Sequence, residues 1–178
     1  MKSRVVAIAA ALLPLFWSAC SSPGKIEQQC PAISVLVDTS SLPVVRSGVP
    51  LASANILYTA QIQNARRDCD FEKMEKQVSA SVGIDFHAVR ARADQAASYK
   101  IPYFVAITTE GKILAKQEFW VQFSFEQGSK VSDFSDSVNS LVFNVARDKE
   151  ATDYGILVGF QLTKAQLDFN RTVGRFAP

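Results

Sequence analysis

Gln77-Val78-Ser79-Ala80-Ser81-Val82-Gly83-Ile84-Asp85-Phe86 is the stretch on which the fold reading turns. Val78, Ala80, Val82, Ile84 and Phe86 are apolar, and the residues between them are polar or glycine. A period of two puts one set of side chains on each face of an extended chain, so this is a strand with one face inward. Working outward, Phe119, Val121, Phe123 and Phe125 alternate with Trp120, Gln122 and Ser124. Tyr154, Ile156, Val158 and Phe160 alternate with Gly155, Leu157 and Gly159. Glycines on one face of a strand mark a bulge or a close backbone approach.

Weaker strand patterns run over Ile33 to Val37, Ile56 to Gln63, Tyr103 to Thr108 and Ser137 to Val145. Turn chemistry separates them at Ser47-Gly48-Val49-Pro50, Thr109-Glu110-Gly111-Lys112 and Gln127-Gly128-Ser129. The Glu110-Gly111 pair between two apolar runs reads as a tight hairpin. About seven strands at this spacing predict an all-β chain, an immunoglobulin-like β-sandwich in architecture, without the Cys…Trp…Cys spacing of antibody domains. Arg90 to Lys100, rich in alanine and charge, reads as a long connection. A helix is expected at the C-terminus, where Thr163 and Gln166 form a capping box. Leu162, Ala165, Phe169 and Val173 recur there at helical spacing, a stripe expected to close one end of the sandwich.

The first nineteen residues have the layout of a secretory signal: Lys2 and Arg4, an apolar run from Val5 to Trp17, then Ser18 and Ala19 before Cys20. The apolar run is shorter than the roughly 20 residues a spanning helix needs. Cleavage there would make Cys20 a lipidated first residue and residues 20–29, broken by Pro23 and Gly24, a tether. Residues 30–178 would form one domain. The ordinary alternative is a cleaved signal that happens to end at a cysteine. Trp17 stands where a lipobox has leucine, with Leu15 and Phe16 close by. The signal takes two of the 19 basic residues and none of the 17 acidic ones, leaving the rest balanced. The pI near 8.4 therefore gives no argument for nucleic acid.

With Cys20 acylated, Cys30 and Cys69 remain, and a pair in an oxidising compartment is most simply a disulfide. Two buried free thiols are the alternative. A metal pair is disfavoured by a single histidine and the absence of CxxC.

These features resemble a family of small bacterial envelope lipoproteins. The likeness rests on the acylated Cys and tether, on Cys30-Pro31 opening the first strand, Ile33-Ser34-Val35-Leu36, and on Pro102 to Ile107 with Ile113 to Gln117. It rests also on the closing run Asp153 to Thr163 with Leu167 and Asn170-Arg171. The resemblance implies an address and a fold, and the family carries no activity to transfer. By similarity to the sorting rule of enteric lipoproteins, Ser21 and Ser22 imply an outer-membrane anchor facing the periplasm.

His87 is the sole histidine, so any site built on a histidine base must use it, with Asp85 as orienter on the same face. Two polar residues on a strand face are more often solvated. Glu118 with Asp133 or Asp136 is nameable as a glycosidase carboxylate pair, but it needs a cleft to hold it. Asp68, Asp70 and Glu72 share a face without the turn of a calcium loop and read as solvated acids beside Arg66 and Arg67. No metal ligand set and no cofactor motif stands out. Most of the twelve phenylalanines fall at inward parity, whereas Trp120, between Phe119 and Val121, points outward and is the candidate partner contact. The sequence thus favours a non-enzymatic, membrane-tethered accessory or scaffold subunit with an envelope protein partner. A small-ligand or glycan carrier is the alternative, and a cell-wall or lipid hydrolase using His87 is a more remote one.

Overall fold

A computed structural model describes residues 30–174. The signal, Cys20 and the whole tether lie outside the described residues. The rest is mostly β, with eight strands in two four-stranded sheets and one short helix. The strands are β1 (Ala32–Val35), β2 (Ser41–Val45), β3 (Ile56–Glu72), β4 (Gln77–Arg90), β5 (Ala97–Thr109), β6 (Lys112–Phe125), β7 (Val131–Asn144) and β8 (Tyr154–Phe160). The helix, α1, spans Lys164–Gly174. One sheet has the order β1-β8-β5-β6, the other β2-β3-β4-β7. All pairings are antiparallel except β1 with β8.

The deciding stretch lies in β4, whose even-numbered residues from Val78 to Ala88 are buried while the intervening ones face out. Opposite them, Ile101, Tyr103, Val105 and Ile107 of β5 and Val121, Phe123 and Phe125 of β6 complete the core between the sheets. Aromatic rings tie the sheets together: Phe134 of β7 stacks on Phe123 of β6 at 4.3 Å and on Phe86 of β4 at 5.1 Å. Each such pair contributes about 1 kcal/mol beyond its buried area.

Thr109 pairs with Lys112, so Glu110-Gly111 is a two-residue hairpin turn. Both turn residues have positive φ, 50° and 73°, the backbone that matches the strand twist in such loops. Gly159 answers the expectation of a close approach: a Cβ there would lie 2.0 Å from Thr39 Oγ1 and 2.8 Å from Phe104 Cζ. The chain from Val37 to Thr39 thus presses onto the outer face of the first sheet because residue 159 has no side chain.

Three expectations are corrected. Arg90 to Lys100 is not a long connection. β4 runs through Arg90 and β5 starts at Ala97, so only 91–96 connect them. Tyr99 and Ile101 pack into the core and override the helix-like composition. There are eight strands rather than about seven, β2 being the addition. It contains Pro43, which an edge strand tolerates because its missing N–H faces no partner. The helix, finally, docks by only part of its apolar stripe: Leu162 and Phe169 are half-buried, whereas Ala165 and Val173 are exposed. The capping box is present, with Thr163 N donating to Gln166 Oε1 (2.9 Å) and Gln166 N to Thr163 Oγ1 (3.3 Å). Side-chain amides then fix α1 to β2: Gln166 Nε2 donates to Pro43 O, and Asn170 Nδ2 to Asp38 O and Ser41 O.

Cys30 and Cys69 form a disulfide with Cα atoms 6.0 Å apart. It joins the approach to β1 in one sheet to β3 in the other.

Candidate functional site

Strand register decides which candidate residues meet. His87 lies directly opposite Asp133 across β4 and β7, and its Nδ1 is 2.6 Å from Asp133 Oδ1. Asp85, the expected orienter, turns instead to β3, where Arg66 and Asn64 donate to its carboxylate. The Arg66 hydrogen bond, with a smaller contribution from Asn64 and the Arg66 charge, outweighs partial burial and holds the Asp85 carboxyl below its ordinary range. His87 is half-buried rather than exposed, being flanked by Gln61 on one side and Asp133 on the other. Among the described residues its ring makes no other side-chain hydrogen bond, so His87 and Asp133 are an orienting pair without a nucleophile beside them.

The carboxylates Glu118, Asp133 and Asp136 are dispersed. Glu118 is exposed on the outer face of the first sheet and Asp133 on the outer face of the second. Asp136 points between the sheets, where Tyr103 Oη donates to it at 2.9 Å. Burial, and then the bond to Asp136, push the Tyr103 hydroxyl far above its usual range. It therefore stays a protonated donor.

Asp68, Asp70 and Glu72 are exposed along β3 with Arg66 on their face. Arg67 lies at the opposite parity, its Nε buried with no acceptor among the described residues. No group of three or more His, Cys, Asp or Glu suited to a metal ion occurs among the described residues. No described helix is long and apolar enough to cross a membrane.

Sequence reading passed over Arg90, although its place at the inward parity of β4 was the available signal. It is 6 % exposed. Its Nε donates to Ser129 O (2.7 Å), Nη1 to Gln95 O (2.9 Å), and Nη2 to Glu126 O (2.9 Å) and Asp94 O (3.2 Å). The guanidinium lies 4.8 Å from the Phe125 ring centre. One side chain thus gathers the β4–β5 and β6–β7 connections and walls a cleft of ≈ 510 Å³ with Arg46, Asn55 and Tyr99. A second cleft, ≈ 840 Å³, separates α1 from β2 and β3. Both lie at the perimeter, while the space between the sheets is filled by side chains.

Trp120 is on the outer face, 52 % exposed, with Lys100 Nζ 5.4 Å from its ring centre. It belongs to a larger feature. β6 is the edge of its sheet, and from Lys112 to Glu118 every residue is exposed on both faces. Ile113 and Leu114 are 60 % and 55 % exposed. The first half of β6 is thus an exposed sheet edge in which Ile113 and Leu114 stand among Lys112, Lys116 and Glu118, the arrangement that invites another strand.

No family model, curated protein or solved structure matches this chain. The resemblance to envelope lipoproteins therefore rests on the sequence motifs alone.

Proposed function

We propose that this chain is a non-enzymatic envelope lipoprotein, anchored through Cys20 and serving as an accessory or scaffold subunit whose sandwich, immunoglobulin-like in its packing, docks by an edge. The observation that carries the reading is the outer edge of β6, where Ile113, Leu114 and, further along, Trp120 are exposed beside an unpaired strand edge. The buried apolar cluster between the sheets supports recognition at the surface, and the Cys30–Cys69 disulfide suits an oxidising compartment. Lys100 over the indole leaves less of the ring for a sugar, which favours a protein partner over a glycan. A photoreactive residue at Leu114 in growing cells is expected to give discrete protein adducts that Ser79 on β4 does not. Equal labelling at both positions would overturn the reading. Cys20→Ser is expected to move the chain from the membrane to the soluble fraction.

A further inference from the structure

The register of β5 on β6 shows which backbone groups the open edge offers. Trp120 faces Pro102, which has no N–H and whose carbonyl accepts from Gln161 N at 3.1 Å on the far side. This is a non-bonded pair, so the Trp120 N–H and C=O point away from β5. The same holds for Lys116, Glu118, Gln122 and Ser124, whose carbonyl accepts from Ser132 Oγ at 2.8 Å, whereas toward the hairpin the register shifts and Leu114 is an extra residue between Ile113 and Ala115. That contact closes one end of the edge. The regular open part runs from Lys116 to Gln122, with the bulged Leu114 at its margin.

We propose that this edge pairs with the same edge of a second copy, antiparallel, about a two-fold axis through Gln117. This deepens the docking reading above and rests on it. The sequence is self-complementary in that register: Lys116 falls opposite Glu118, and the bulged Leu114 comes beside Trp120, each twice by symmetry. Neither Lys116 nor Glu118 makes an ion pair among the described residues. The backbone pattern sets even-numbered residues opposite even-numbered ones, so the axis can sit at any residue of the edge, and at Lys116 or Glu118 it sets that charge against its own copy. An axis at Ala115 sets Leu114 against Lys116, and one at Phe119 sets Glu118 against Trp120. Opposite charges and apolar pairs stabilise facing positions, and mismatches do not. The axis at Gln117 alone satisfies both, bringing together Leu114 and Trp120, which are 55 % and 52 % exposed. Both faces of β6 are exposed from Lys112 to Glu118, and the outer face stays exposed through Gln122.

The test uses the full chain purified and oxidised at about 100 µM. In the proposed pair the two Gln117 Cα atoms lie roughly 4.5 Å apart, a non-bonded position within reach of a disulfide. Gln117→Cys is expected to give a reducible covalent dimer. Gln122→Cys, whose copies would be about 34 Å apart at 3.4 Å per residue, is expected to stay monomeric. In sedimentation velocity Lys116→Glu is expected to weaken the dimer at least tenfold, and Lys116→Glu combined with Glu118→Lys to restore it. Absence of the Gln117→Cys dimer, equal crosslinking at 122, or failure of the charge swap to restore pairing overturns the proposal. If the Leu114 photoprobe captures only a different protein, self-pairing falls and the docking edge stands. If it captures nothing, both fall.

Discussion

Replacing Arg90 by methionine keeps the length and apolar stem of the side chain and removes the guanidinium. Four hydrogen bonds to main-chain carbonyls at 2.7 to 3.2 Å are lost, each contributing about 1.5 to 3 kcal/mol when the donor is charged. Against this stands the cost of burying the ion, several kcal/mol, which the methionine does not incur. The adjoining cleft also lets water reach some of the abandoned carbonyls. The balance is a destabilisation of about 3 kcal/mol, which in urea unfolding lowers the midpoint by about 1.5 M at a slope near 2 kcal/mol/M. Arg90→Lys is expected to lose nearly as much, because one ammonium cannot fork toward two loops. A midpoint within about 0.5 M of the parent at unchanged slope would refute the clamp, and full rescue by lysine would show that charge matters and the fork does not.

Other perturbations probe separate parts. Opening the disulfide closes off a constraint across 39 residues of sequence separation, so Cys30→Ser with Cys69→Ser is expected to cost about 4 kcal/mol, read by calorimetry as a fall in Tm of roughly 10 °C. Gly159→Ala drives a methyl into Thr39 and Phe104 and is expected to cost about 2 kcal/mol, part of which Thr39→Ala returns in the double variant. Asp85 has its carboxyl lowered in the fold by Arg66, so the pair contributes above the ordinary carboxylate range and its contribution fades as pH falls through the folded value. The small stability gap between the parent and Arg66→Met at neutral pH is therefore expected to close on acidification, and a gap that widens instead contradicts the assignment.

What could be read from the sequence was whatever the chain specifies locally. β4, the second half of β6 and β8 have clean alternation, Glu110-Gly111 has its turn chemistry, and Thr163 with Gln166 has its cap. What depended on partners distant in sequence was not readable. β2 is five residues with a proline, and only pairing with β3 makes it a strand. Ala97 to Lys100 has helix-like composition until Phe125 to Gln122 lie alongside it. The apolar stripe of α1 was real in spacing yet only half covered, with Ala165 and Val173 exposed, because Gln166 and Asn170 hold the helix to the backbone of β2 and the residues before it. His87 was correctly singled out as the one imidazole, but its neighbour is set by the β4–β7 register, which selects Asp133 over Asp85. The outward parity of Trp120 followed from alternation, whereas the open edge around it needed the sheet order.

The bridge at Cys30 also bears on mechanics. Tension arriving from the residues before it would otherwise peel β1, four residues at a sheet margin, away from β8 one rung at a time. The covalent link carries that load directly into β3, a seventeen-residue strand flanked on both sides. A pull along the chain then strains the body of the second sheet, and β1 stays seated.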